Sequence, residues 1–195
     1  MRSVDNVCMV ETQPLRERLV DAGVDLLEEV GAAQLGLRAI TRAAGVSHGA
    51  PRRHFPTHRA LLAAVAARGF ADLIDRFAAV DVAAAPPRER LARMSVAYVE
   101  FAGERPEMFT LMFRHDLLEG SGENLRGTTL PLYGRFAALV GAAGPGAADP
   151  AQRAIALWTN LHGIAALRAN RSLALVGPTV DLRALVDRAL DLHLS

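Results

Sequence analysis

A single cysteine, Cys8, stands in the whole chain, so an internal disulfide and a Cys-based zinc framework are both excluded. Lysine is absent: all 22 basic residues are arginine, a chain-wide bias that weakens the evidence any one Arg gives for selection. Four Ile and 5% aromatics against 36 Ala leave little of the material from which strands are built, and point to an all-α protein. The apolar runs are short as well. Ala60 to Ala67 spans eight residues before Arg68, against roughly 20 for a membrane helix. The first residues, MRSVDNVCMVETQPLRER, hold no signal-peptide apolar stretch, and a soluble, cytoplasmic protein is expected. Gly-x-Ser-x-Gly, P-loop and dinucleotide fingerprints are missing; GAAGPG at Gly141 has no strand before it and reads as a plain loop.

Acids are missing in one place. Between Val30 and Ala71 there is no Asp or Glu, while the window holds Arg38, Arg42, Arg52, Arg53, Arg59 and Arg68 beside His48, His54 and His58. That is a local charge of +6 before any His protonates, in a chain whose net charge is +1. From Phe70 onward 13 Arg face 14 acids. The distribution, not the average, is what a polyanion meets. The length of 195 residues suits one ordinary domain or a small one fused to a second. Folding at that size buries roughly 70% of the extended-chain surface. No metal or cofactor is expected.

Helical spacing organises the chain. Pro14 opens a pattern through Leu15, Leu19, Ala22, Leu26, Leu27 and Val30 that Gly31 ends. Two short helical segments flank Gly45-Val46-Ser47, and a longer pattern runs from Thr57 to the VAAAPP stretch. Five further helices are predicted: Arg88 to Gly103, Pro106 to Leu118, Thr128 to Val140 with Pro131 in its first turn, Gln152 to Arg171, and Thr179 to Leu194. The expected architecture is all-α with about nine helices. Ala83 to Pro87 is a candidate boundary, with a helix shared by both parts allowed. The expected division is residues 1–60 as one part and 61–195 as the other.

A helix-turn-helix needs a residue that accepts positive φ at the corner, an apolar residue just after it, and a cap for the second helix. Gly45, Val46 and Ser47 supply these in order. Leu37, Ile40 and Ala44 fall on one face of the first helix, and Phe55 closes the small core from the other side. An ordinary helical hairpin uses similar turn chemistry, but the acid-free window favours DNA. A recognition helix from Ser47 would enter the major groove, with Arg forks on guanine edges or phosphates and backbone N–H groups on a phosphate. The candidate DNA contacts are Arg38, Ser47, His48, Gly49, Ala50, Arg52, Arg53, His54 and His58, with Arg59 beside them.

At these residues the sequence resembles the TetR family of one-component transcriptional repressors, over about Leu15 to Phe70. The matching motifs are L-R-x-I-x-x-x-A-G-V-S from Leu37 to Ser47 and G-A-x-x-R-H-F from Gly49 to Phe55. The second part is similar to a TetR subgroup with a Trp-His-Gly signature, here Trp158, His162 and Gly163, and YVEFAGERPEMFTLMF from Tyr98 to Phe113 looks like that subgroup too. The resemblance implies a homodimer reading a palindromic operator, a C-terminal pocket for a small inducer, and the last two helices of each subunit packed as a four-helix bundle. Departures are specific. Arg52 stands where many relatives have a phosphate-contacting Tyr, His58 where a Lys is common, and Gly36 where a Ser or Thr usually caps. Pro51, four residues after Ser47, makes an irregular start to the recognition helix.

Seven of the ten aromatics lie between Tyr98 and Trp158. Pockets for apolar ligands are lined in this way, and so are helical cores. The candidate ligand contacts are Tyr98, Phe101, Phe109, Met112, Phe113, Tyr133, Trp158 and His162; Trp158 and His162, as i and i+4, share a helix face. Two other readings stay open. One is a DNA-binding dimer without a small-molecule effector. The other is a helical enzyme using His115, Asp116 and Glu119 as a metal or acid/base cluster, although HDLLE reads more naturally as a polar helix end.

Overall fold

The computed structural model describes residues 14–47, 51–144 and 149–194. Among these residues the regular structure is helical throughout, with ten α-helices, one turn of 3-10 helix and no strand. In chain order they are α1 (Leu15–Val30), α2 (Leu37–Ala43), the 3-10 turn (Pro51–Arg53), α3 (His58–Val80), α4 (Pro87–Glu104), α5 (Pro106–Met112), α6 (His115–Leu118), α7 (Arg126–Ala143), α8 (Pro150–Ala169), α9 (Ser172–Val176) and α10 (Leu182–Leu194). None of the described helices is long and apolar enough to cross a membrane.

Local chemistry explains most of the ends. The Thr57 hydroxyl accepts from Ala60 N–H and starts α3, Asp149 does the same for Ala151 at α8, and Pro87 and Pro106 sit at first-turn positions that need no donor. Gly31, at φ 73°, ends α1. The helix expected over Pro106 to Leu118 breaks instead into α5 and α6. Phe113 and Arg114 tighten into i→i−3 bonds, and the Arg114 guanidinium grips the Asp116 carboxylate with two bonds of 2.7 Å. Pro131 lies deeper in its helix than expected: the Asn124 side chain accepts from Gly127 N–H and α7 begins at Arg126. The five-residue α9 between α8 and α10 was not predicted from spacing.

The core is organised by α3. Ala60 to Ala66 are buried without a break, so this stretch has no solvent face; α1, α4, α5 and α6 all pack on α3. Small residues let the neighbours approach. A Cβ at Gly23 would stand 2.8 Å from Val65 Cγ2, and one at Gly69 would stand 2.5 Å from Met108 Sδ and 2.8 Å from Met112 Sδ. The second part builds on α4, α7 and α8, with α10 against α4 and α8. Since α3 runs from His58 to Val80, residues 60 and 61 fall in its first turn, while 83–86 fall in the link to α4, which Pro87 opens.

Glu28 ties the two parts together from α1. Its carboxylate accepts from the backbone N–H groups of Glu107 and Met108 at 3.2 and 3.1 Å, and from Arg105 Nε at 3.3 Å. It thereby caps α5 from about 80 residues away in sequence. Glu28→Ala strands two N–H donors at a helix start and is expected to lower stability by about 1–2 kcal/mol, with Glu28→Gln recovering part of it, as read from urea unfolding midpoints.

Candidate functional site

Two regions carry the chemistry that the sequence points to. The first surrounds Gly45. Its φ is 65°; its N–H bonds to Arg42 O at 3.2 Å and the Val46 N–H to Thr41 O at 3.0 Å, the paired bonds of a Schellman stop. Val46 packs on the core beside buried Ile40 and Ala44. Arg18 of α1 donates to Ala44 O at 2.6 Å and holds the corner from outside. Phe55 is buried, with the Arg16 guanidinium 5.2 Å over its ring. The corner predicted from Gly45, Val46 and Phe55 is therefore present. His48, Gly49 and Ala50 lie outside the described residues, and the next residues, Pro51 to Arg53, form the 3-10 turn rather than a continuous α-helix.

Around this corner Arg38, Ser47, Arg52, Arg53 and His54 are exposed, as is Arg42. The guanidinium groups of Arg38, Arg42, Arg52 and Arg53 meet no carboxylate among the described residues. Elsewhere arginines are held: Arg90 pairs bidentately with Asp81 and keeps that carboxyl below the usual carboxylate range, and Arg76 pairs with Glu104. Two of the candidate DNA-contact residues, His58 and Arg59, also bond within the fold. The His58 ring, still exposed, places Nε2 2.6 Å from the carbonyl of buried Leu35, and Arg59 donates from Nη1 to Glu119 O at 2.7 Å.

The second region is a cavity of about 820 Å³ between α3, α4, α7 and α8, closed at its rim by the loop after α6. Of the predicted contacts, Tyr98, Met112, Phe113, Tyr133 and Trp158 stand on its wall. His162 and Phe109 stand behind that wall. The His162 ring stacks on Trp158 at 5.2 Å and on Phe109 at 5.4 Å, with Phe113 edge-on at 4.6 Å. The Tyr98 hydroxyl and His162 Nδ1 are hydrogen-bonded at 2.7 Å. Burial pushes the Tyr98 phenol well above its ordinary pKa and holds the His162 imidazole below 6.5, so both are neutral near pH 7. Phe101 is a correction: it is fully buried away from the cavity wall, with the Arg76 guanidinium 5.1 Å over its ring, because α4 is buried around most of its circumference.

Spacing missed Ser95, Leu161 and the segment 119–126, the loop and the first residue of α7, as parts of this wall. Ser95 lies three residues before Tyr98, a spacing that places it on the same face; the loop carries no such signal. Two bonds fix the loop to the first part of the chain. Arg59 holds the Glu119 carbonyl, and Arg16 Nη2 holds Glu123 Oε1 at 2.6 Å. His115, Asp116 and Glu119 do not form a metal or acid/base cluster. Asp116 is held by Arg114, which keeps its carboxyl below the usual range, and among the described residues no group of three His, Cys, Asp or Glu could hold a metal.

Two family profiles match the chain. One, described as bacterial regulatory proteins, tetR family, matches residues 19–65, and the other, described as tetracyclin repressor-like, C-terminal domain, matches residues 91–193. No curated protein matches the chain. A solved structure of a protein of unknown function from Rhodococcus sp. RHA1 is 30% identical, with TM-score 0.79, covering 95% of this chain and 96% of that one. A TetR-like transcriptional regulator from Rhodococcus sp. RHA1 shares the fold at 20% identity and TM-score 0.68, covering 92% and 93%. The regulator FadR from Bacillus subtilis, solved in complex with stearoyl-CoA, shares it at 17% identity and TM-score 0.67, covering 92% and 97%.

The state of His162 gives this region a pH dependence. The native ring resists protonation, whereas in the unfolded chain it takes up a proton below its ordinary 6.5. Unfolding therefore binds a proton as the pH falls, and stability is lost from about 6.5 downward. Urea midpoints at pH 5.5 and 7.5 are expected to show a smaller drop for His162→Gln than for the wild type.

Proposed function

The chain belongs to the TetR family of bacterial transcriptional regulators and is not an enzyme, and from that premise we propose that it is a cytoplasmic, homodimeric repressor released by a small-molecule effector. The carrying observation is the surface around Gly45, where Arg38, Arg42, Arg52 and Arg53 are exposed without a carboxylate partner among the described residues. Guanidinium groups left in this way meet phosphates and guanine edges at low cost, since no internal ion pair has to be broken first. His54 and Ser47 are exposed beside them and complete the proposed contact set with His48, Gly49 and Ala50.

Dimerisation through α8 and α10 is supported by apolar side chains left in solvent on those helices and on α9: Leu167 at 43% exposure, Leu192 at 62%, and Leu175 and Val176 at 84% and 83%. Two copies related by a two-fold axis would present two such corners to a palindromic operator. The cavity supplies the effector site, with Tyr98, Met112, Phe113, Tyr133 and Trp158 on its wall. The FadR structure with stearoyl-CoA supports the reading that this fold admits ligands. Release is routed through the segment 119–126, which walls the cavity and is bonded to Arg16 and Arg59 of the first part. An effector that displaces the loop would strain both bonds and move the DNA-facing part.

Arg52→Ala and Arg53→Ala are each expected to weaken binding to a palindrome near the protein's own gene by about tenfold and to reduce the salt slope by about 1, with the fold intact by circular dichroism. Equal, weak binding of wild type and variants to all duplexes would overturn the operator reading. In Arg59→Ala, DNA binding and cavity binding are both expected to persist while the effect of one on the other shrinks, as measured by operator titrations with and without effector.

A further inference from the structure

Every ionisable side chain on the cavity wall apart from Tyr98 and Tyr133 stands at its rim. His115, Glu119 and Arg126 are exposed, and Glu123 is held by Arg16. Further in, the wall is made of buried Leu73, Tyr98, Met112, Leu118 and Leu161, with no charged group among them. The polar pair closest to this interior, Tyr98 and His162, is neutral and its members are bonded to each other. A charged ligand would have to leave water without a counter-charge, a loss that its burial does not repay.

Ser95 differs from the rest of the interior. It lies on α4 at 3% exposure and faces the cavity, and its hydroxyl has no hydrogen-bond partner among the described residues. A hydroxyl open to the cavity and bonded to no protein group can donate to a ligand carbonyl or accept from a ligand hydroxyl. On the same wall, Tyr133 meets Trp158 edge-on at 6.4 Å, with Phe136 beside Tyr133 at 6.2 Å, so flat apolar groups find ring faces and edges.

Resting on the effector reading above, we propose that the cavity takes an uncharged ligand with an aromatic body and a single hydroxyl or carbonyl group, anchored by Ser95. The ring-lined wall holds the body by burial and the Ser95 hydroxyl sets its orientation. A carboxylate, an ammonium or a phosphate ester is disfavoured in the interior and is tolerated only at the rim.

The test uses the full chain and four matched probes: biphenylmethanol, biphenylcarboxylate, biphenylmethylammonium and biphenyl. Binding is read by calorimetry and by emission of Trp158, the chain's one tryptophan, which stands on the wall. The alcohol is expected to bind about tenfold more tightly than either ion. Ser95→Ala is expected to weaken the alcohol about three- to tenfold and to leave biphenyl unchanged, which also reports that the variant has folded. An ion that binds as tightly as the alcohol overturns the uncharged class while leaving an effector site in place. Equal losses for alcohol and biphenyl, or no loss for either, overturn the anchoring by Ser95. Binding of none of the four overturns the proposal, and if no cavity ligand of any class then shifts operator affinity, the effector reading falls separately.

Discussion

Burial on every side of one helix is the constraint on which this molecule depends. Ala60 to Ala66 of α3 have no solvent face, and α1, α4, α5 and α6 all pack against this helix along its length. A helix that is apolar all round would be a liability if either part were absent. The small side chains that allow this packing also set its tolerance, since Gly23 and Gly69 lie where a single Cβ would collide with Val65 or with Met108 and Met112. The Gly45 corner and the cavity are thus built on one shared core, and the corner's own buried group, Phe55 with Ile40 and Ala44, is continuous with it.

Electrostatics divides what packing joins. The first part keeps its arginines around Gly45 away from carboxylates, and the second pairs Arg76, Arg90 and Arg114 with nearby acids. Exposed pairs of this kind contribute little to stability individually. Their effect is to leave the unpaired guanidinium groups as the distinctive positive surface. Across the junction, Glu28 reaches from α1 to cap α5, and Arg16 and Arg59 reach the loop at the cavity rim, so charge also supplies the specific links between the parts.

Much of this was legible in the residues. Gly45 required positive φ, Val46 and Phe55 required burial, and the helical spacing located most helices within a few residues, because local sterics and period fix such features. The acid-free window identified the basic surface for the same reason: charge is counted without knowing the fold. What escaped depends on contacts distant in sequence. His58 and Arg59 carry no mark showing that their partners are the carbonyls of Leu35 and Glu119, and Glu28 carries none showing that it caps a helix near residue 107. Phe101 was misplaced because α4 buries residues over most of its surface, so apolar spacing alone does not say which side meets a cavity. Ser95 was overlooked because a serine among apolar residues signals nothing until the space before it is seen.

The two bonds that hold the rim loop differ in kind. Arg16 grips the carboxylate of Glu123, so that bond survives only while position 123 carries an acid. Arg59 grips the main-chain carbonyl of Glu119, a group that every amino acid carries. That bond therefore does not depend on which side chain stands at position 119. The chemistry of the rim at 119 can thus be changed without dissolving the attachment of the loop to Arg59.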